Sequence, residues 1–204
     1  MEYLFDGPPV APFAVVLAHG AGAPMDSPFM EAFARGLGQR GFRVARFEFP
    51  YMAARRTAGT RKPPDREAVL LETWRAVAEE FGGGDRLVVG GKSMGGRMAS
   101  MVADEVGARG LLCLGYPFHA PGRPEKARTA HLAQLRTPAL IVQGTRDPFG
   151  GVDEVAGYDL SPAITVHWLE DGDHDFKPRK TSGRSQVQNW DEGIAAAAGF
   201  LERL

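Results

Sequence analysis

Across 204 residues, 24 Lys+Arg stand against 25 Asp+Glu for a formal charge of −1, a balance that excludes whole-chain attraction to nucleic acid or to an acidic membrane surface. The lone cysteine, Cys113, excludes an intramolecular disulfide framework and suits a reducing compartment. Met1 to Pro12 lacks the basic-then-apolar pattern of a signal peptide, and no apolar run approaches the roughly 18 residues that span a bilayer, so the expectation is one cytoplasmic domain over residues 1–204. That length suffices to bury roughly 70% of the unfolded surface.

The first clear β-rich run is Phe13 to Ala18, which ends in the glycine-rich string His19-Gly20-Ala21-Gly22-Ala23. A helix then opens at Ser27-Pro28: Ser27 can cap, Pro28 fits the first helical position, Glu31 lies over the open amide end, and Phe29, Phe33 and Leu37 share a face. Phe42 to Phe49 is the second run. Its alternation of Arg46 and Glu48 with Phe47 and Phe49 predicts a strand near the sheet edge with one face partly solvated. Ala53 to Pro64 reads as a loop. Leu70, Trp74, Val77 and Phe81 repeat with helical spacing as a packed face.

Leu87 to Val89 forms the third run, and Gly91-Lys92-Ser93-Met94-Gly95 follows it directly. Met94, Met98, Val102 and Val106 make the next helical stripe, with Ala99 and Ala103 small enough for close approach to a sheet. Gly110 to Leu114 and Ala139 to Val142 are further central runs, joined through a loop from Pro117 to Arg136, and Ile164 to Leu169, also read as central, is the sixth. Ser185 to Gln188 spells a capping box ahead of a helix with Val187, Trp190, Ile194, Ala197 and Leu201 on one face. Short strands alternating with helices predict an α/β three-layer sandwich: a mostly parallel sheet of about six strands with helices on both faces.

Within that frame, Gly91-Lys92-Ser93-Met94-Gly95 has the context of a nucleophile elbow, because the small residues at a strand end permit the sharp turn that lifts a serine hydroxyl above the sheet. Gly91-Lys92-Ser93 also spells the end of a phosphate-binding loop, but that loop needs a glycine where this chain has Arg86. A serine needs a base, and the base needs an acid to orient it. Asp147, in Gly144-Thr145-Arg146-Asp147-Pro148, lies just past the fifth run, and His174, in Gly172-Asp173-His174-Asp175, just past the sixth. Both fall at C-terminal strand edges, where open α/β sheets bind ligands. Asp171, Asp173 and Asp175 read as turn and surface carboxylates. Of the other histidines, His167 sits inside a strand, and His119 and His131 lie in the connection after the fourth run. The backbone amides of Ala21 and Met94 would provide the two donors that a tetrahedral oxyanion needs, and His19 and Gly20 belong to the same loop.

These residues give the chain a resemblance to the α/β-hydrolase superfamily, in particular its small capless branch of predicted hydrolases, which is also similar to dienelactone hydrolase. The resemblance runs from His19-Gly20-Ala21-Gly22 through Gly91-Lys92-Ser93-Met94-Gly95-Gly96 and Asp147 to His174. It implies a Ser93, Asp147, His174 triad, an Ala21/Met94 oxyanion hole and a minimal fold without a lid domain, its opening antiparallel strands absent or reduced to Tyr3 to Phe5. The implied activity is cleavage of a carboxylester or thioester of a small-molecule acyl substrate. A hydrolase-fold binding or scaffold protein and an acyltransferase are the alternatives. No cofactor is required, and no compact metal-ligand motif such as H-E-x-x-H occurs. The basic residues Arg55, Arg56, Arg61 and Lys62 after one strand, and Lys177, Arg179, Lys180 and Arg184 after another, could attract an acidic substrate, with Arg55 and Arg56 as the binding candidates. Solvated loop charge is the favoured reading of the same residues, because Asp171, Asp173 and Asp175 offset much of the basic charge.

Overall fold

A computed structural model describes residues 1–59, 62–120 and 122–204. Among the described residues, seven strands form one sheet: β1 (Tyr3–Asp6), β2 (Ala14–Ala18), β3 (Arg43–Phe47), β4 (Leu87–Lys92), β5 (Gly110–Leu114), β6 (Ala139–Gly144) and β7 (Ile164–Leu169), in the order β1-β3-β2-β4-β5-β6-β7. All neighbours run parallel except β1, which pairs antiparallel with β3 from Tyr3 opposite Phe47 to Asp6 opposite Val44. The expected remnant at Tyr3 to Phe5 is therefore a full edge strand, and it raises the expected six strands to seven.

The chain leaves β2 for β3 on one side and returns to β4 on the other. Strand order thus reverses between β2 and β4, and a crevice opens at their C-terminal ends. Period-two alternation sends Val15 and Leu17 to one face and Ala14, Val16 and Ala18 to the other. The first face is covered by α1 (Pro28–Gly38) and α6 (Gln186–Leu201); the second by α2 (Pro50–Ala58), α3 (Glu67–Glu80) and α4 (Met94–Val102), with the short α5 (Val152–Val155) beside them. Trp74 of α3 is fully buried and meets Phe47 edge-on at 4.8 Å, the packing role its spacing predicted.

Several local expectations are corrected. Only the first half of Ala53 to Pro64 departs from the expected loop: Pro50 at the first helical position starts α2, which runs to Ala58 and ends at Gly59 with φ 64°, so Arg55 and Arg56 lie on a helix, while Lys62 to Pro64 are loop. Arg61 lies outside the described residues. β3 is next to the edge, but its polar face is not solvated. Arg46 is buried by an ion pair with Asp6 of β1 at 2.8 Å and a bond to the Met25 carbonyl. β7, read as central, is the other edge strand and stays half-exposed. The helix α4 stops at Val102, short of Val106, and Val187 at the start of α6 is exposed. The capping box at Ser185 and Gln188 is formed in full, whereas Ser27 makes no side-chain cap. The connection that includes Pro117 to Arg136 tucks Phe118, Leu132 and Leu135 into the core, with one 3-10 turn at Leu132–Gln134. Among the described residues, no helix is long and apolar enough to cross a membrane.

Candidate active site

Ser93 sits between β4 and α4 with φ 51° and ψ −114°, a backbone region that costs a non-glycine residue on the order of 1–3 kcal/mol and persists only where its surroundings enforce it. Here they do. The Ser93 amide donates to the Leu114 carbonyl of β5 at 3.0 Å, and the Ser93 carbonyl accepts from Arg97 within the next turn. Both flanking glycines are required by close approach: a Cβ on Gly91 would lie 2.1 Å from the Ala18 carbonyl oxygen, and one on Gly95 2.4 Å from the same atom. The elbow is pressed against the end of β2.

His174 reaches Ser93 on a tight turn after β7. The Asp173 carboxylate accepts from the amides of Asp175 and Lys177 at 2.9 Å each, and Phe176, at φ 63°, is fully buried against Phe29. From α6, Asn189 donates to the carbonyls of Glu170 and Phe176 and ties the turn down. His174 Nε2 then lies 2.9 Å from Ser93 Oγ, and His174 Nδ1 lies 2.8 Å from Asp147 Oδ2. Asp147 is buried and also accepts from Gln143 Nε2 at 3.0 Å and the Phe149 amide at 2.9 Å. These bonds fix the carboxylate toward the imidazole, which in turn is held with Nδ1 protonated and Nε2 free to accept from the serine.

Residues 11–202 match the family profile described as an alpha/beta hydrolase domain. The chain belongs to that family. Among solved structures, the hydrolase domain is similar to a lidless α/β serine hydrolase from Xanthomonas campestris, at 20% identity over 98% of this chain and 88% of that one, TM-score 0.73. It is similar to dienelactone hydrolase from Anabaena variabilis at 18% identity, over 98% of this chain and 90% of that one, TM-score 0.72. Est1E from Butyrivibrio proteoclasticus, solved with ferulic acid bound, matches at 14% identity over 99% of this chain and 94% of that one, TM-score 0.71. At these identities the likeness establishes a shared fold.

Two clefts meet at Ser93 of the hydrolase domain. One, of about 480 Å³, passes His174 between Phe29, Met30 and Trp190; the other, of about 360 Å³, runs over Met94 between α3 and α4. Ala21 and Phe149 border both. Neither the Ala21 nor the Met94 amide has an acceptor among the described residues, so both donors are free beside the serine. Gly20 lines the first cleft. His19 does not line either one: it is fully buried, its Nδ1–H donating to the Gly20 carbonyl at 2.6 Å and its Nε2 accepting from the Phe49 amide at 3.2 Å. Burial holds its pKa below the usual histidine value.

The two candidate arginines are engaged elsewhere. Arg56 binds Asp26 and the buried Glu48 together, while Glu48 accepts the Met25 amide, which braces the loop that carries Ala21. Arg55 lies over the Tyr51 ring at 5.0 Å and donates to the Lys62 carbonyl. Asp171, expected at the surface, is buried, with its carboxylate on Arg179 at 2.8 Å. Among the described residues, no three His, Cys, Asp or Glu side chains converge as metal ligands.

Sequence reasoning missed Lys92, Gln143 and Tyr51. Lys92 is buried between the Phe29 and Phe176 rings and donates to the His174 carbonyl, with Asp175 at 3.3 Å; desolvation lowers its pKa. Tyr51 donates its hydroxyl to the Ala21 carbonyl at 3.0 Å. A second serine–histidine contact, Ser100 Oγ to His131 Nε2 at 2.8 Å, is of a different kind. The buried Ser100 hydroxyl already donates to the Arg97 carbonyl at 2.7 Å, so it accepts from the imidazole, and no carboxylate faces His131 Nδ1 among the described residues.

Proposed function

We infer that this protein is a serine hydrolase that cleaves carboxylester or thioester bonds through an acyl-enzyme on Ser93. The observation that carries the reading is the unbroken line from Ser93 Oγ to His174 Nε2 at 2.9 Å and from His174 Nδ1 to the buried Asp147 at 2.8 Å, opening onto free amides at Ala21 and Met94.

In this reading His174 takes the serine proton as Ser93 Oγ attacks the acyl carbonyl, and Asp147 steadies the imidazolium without becoming protonated. The carbonyl oxygen, now anionic, accepts from the Ala21 and Met94 amides, an interaction whose single donors are typically worth roughly 10² to 10³ in turnover. His174 returns its proton to the leaving alcohol or thiol. Water, deprotonated by the same imidazole, then releases the acid and restores Ser93. Cys113 is no competing nucleophile: it is fully buried behind Gly96, and burial pushes its thiol pKa far up.

A fluorophosphonate probe tests this directly. Peptide mass spectrometry is expected to find the adduct on Ser93, and Ser93→Ala to abolish labelling and lower p-nitrophenyl ester turnover by several orders of magnitude with the fold retained by circular dichroism. Folded wild-type protein that stays unlabelled, or that labels at Ser100, overturns the assignment.

A further inference from the structure

Beside Ser93, the cleft between α3 and α4 is lined by two guanidiniums, Arg97 and Arg128, and by two carboxylates, Asp65 and Glu67. The carboxylates are already spoken for. Asp65 accepts the Tyr51 amide at 2.9 Å, and Glu67 accepts from Arg97 at 2.9 Å. The cations are not satisfied in the same way. Arg97 Nε is buried with no hydrogen-bond partner, and the Arg128 guanidinium has no hydrogen bond or ion pair among the described residues. Arg128 is nonetheless anchored at its backbone, whose amide donates to Phe118 and whose carbonyl accepts the Tyr116 hydroxyl at 2.9 Å. A half-buried cation facing a second cation is electrostatically uncomfortable, and burial with the nearby Arg97 charge lowers its pKa. An anion seated between the two would relieve the repulsion and pair the free Arg128 guanidinium.

The side of the serine on which this cleft lies fixes which part of an ester enters it. His174 must hand its proton to the leaving group, so the alcohol lies on the side of the His174 cleft, with Phe29, Met30 and Trp190 around it. The second cleft does not include His174 and receives the acyl chain. We propose that this cleft is an acyl subsite for short acids bearing a second carboxylate, with Arg128 as the residue that holds the distal carboxylate and Arg97 beside it. The substrate class is then a monoester of a dicarboxylic acid with an apolar alcohol. The proposal rests on Ser93 being the nucleophile for its catalytic meaning, but the anion subsite itself does not need turnover to be seen. Arg suits the task better than Lys because its planar fork meets both carboxylate oxygens at once.

Two measurements decide it. The first compares kcat/KM for p-nitrophenyl hemisuccinate with that for p-nitrophenyl pentanoate at low salt in wild type, Arg128→Met and Arg128→Lys. Wild type is expected to favour the hemisuccinate. Arg128→Met is expected to lower the anionic-to-neutral ratio by about tenfold through KM, and Arg128→Lys to retain part of it, the scale of one charge-assisted hydrogen-bonded pair. The second titrates succinate into the Ser93→Ala protein, with and without Arg128→Met, by chemical-shift perturbation. Succinate binding that disappears with Arg128→Met supports the subsite even if neither ester is turned over, an outcome that would sink the esterase reading alone. Where the esters are turned over, a wild type without anionic preference or an unchanged ratio in Arg128→Met overturns the proposal, and so does succinate binding that is absent or indifferent to Arg128.

Discussion

Lys92 occupies the second position of the elbow, where the side chain is buried and desolvation lowers its pKa. Its Nζ donates to the carbonyl of His174 itself, joining the strand that presents the nucleophile to the turn that presents the base. Substituting Lys92 by Met keeps the volume between Phe29 and Phe176 and removes the tether. The His174 carbonyl loses its donor while the cost of desolvating the Lys92 amine is removed, so the variant is expected to stay folded, with a stability within about 1–2 kcal/mol of wild type. Its kcat is expected to fall by about 10²-fold with little change in KM, since slippage of the base by about 1 Å is enough for such a loss. Unchanged kcat in a stable Lys92→Met protein would show the tether to be dispensable. Ser93, Asp147 and His174 were legible in the sequence because each follows a strand end, a position set by local pattern. Lys92, Gln143 and Tyr51 were not. Their contacts span 82, 27 and 30 residues respectively, and nothing in the local pattern of a lysine, glutamine or tyrosine announces a backbone carbonyl that folds in from so far away.

Elements were legible where burial is one-sided and periodic. The helices around Trp74 and after Ser93 declare themselves by apolar stripes that pack onto the sheet, and the parallel strands by unbroken apolar runs. The helix α2 does not, because only Tyr51 and Met52 of its residues are buried and the rest is exposed or half-exposed alanine and polar residues with no apolar stripe. Missing it put Arg55 and Arg56 in a loop, where they looked available to a substrate. On a helix, Arg56 instead clamps Glu48 of the segment after β3 to Asp26 of the loop after β2. Replacing Arg56 by alanine is expected to cost about 1–2 kcal/mol in urea denaturation: Glu48 is left buried without its cation, while the value for a buried pair is discounted because the Arg56 side chain is 41% exposed. The same change loosens the loop bearing Ala21, so kcat should fall alike for the hemisuccinate and pentanoate esters. A selective loss on the anionic ester would move Arg56 from brace to substrate contact. The edge strands were harder to place for a related reason. Four residues of β1 pair with β3 through an Arg46–Asp6 bridge that no hydrophobic pattern encodes, and β7 carries as much apolar sequence as an inner strand although one edge is open.

At the scale of the whole molecule, the near-neutral net charge leaves the pH dependence of stability to individual buried groups, and two histidines are poised to set its acid side. His19 is held neutral because its Nε2 accepts the Phe49 amide, and protonation would turn that acceptor into a second donor aimed at the same N–H. Burial lowers its pKa below the ordinary 6.5, and His131 is lowered from the same value by burial and by Arg97. Below about pH 6.5 the unfolded chain therefore binds protons that the folded one refuses. Unfolding free energy is then at its full value above that pH and declines as pH falls toward the depressed folded values, by at most about 1.4 kcal/mol per pH unit for each group. The expected record is a denaturant midpoint that is level from pH 8 to 7 and drops between pH 6.5 and 5, before the carboxylates begin to titrate. His19→Asn, whose amide can reproduce one donor and one acceptor, is expected to flatten that slope by the share His19 contributes, with the remainder persisting until His131 is also replaced. A midpoint as steep in the double variant as in wild type would mean that other groups set the acid limb, and that His19 admits a proton in the folded state. Since His19 begins the loop that carries Gly20 and Ala21, the same protonation is expected to slow fluorophosphonate labelling of Ser93 over that pH range, with labelling at pH 5.5 less impaired in His19→Asn than in wild type.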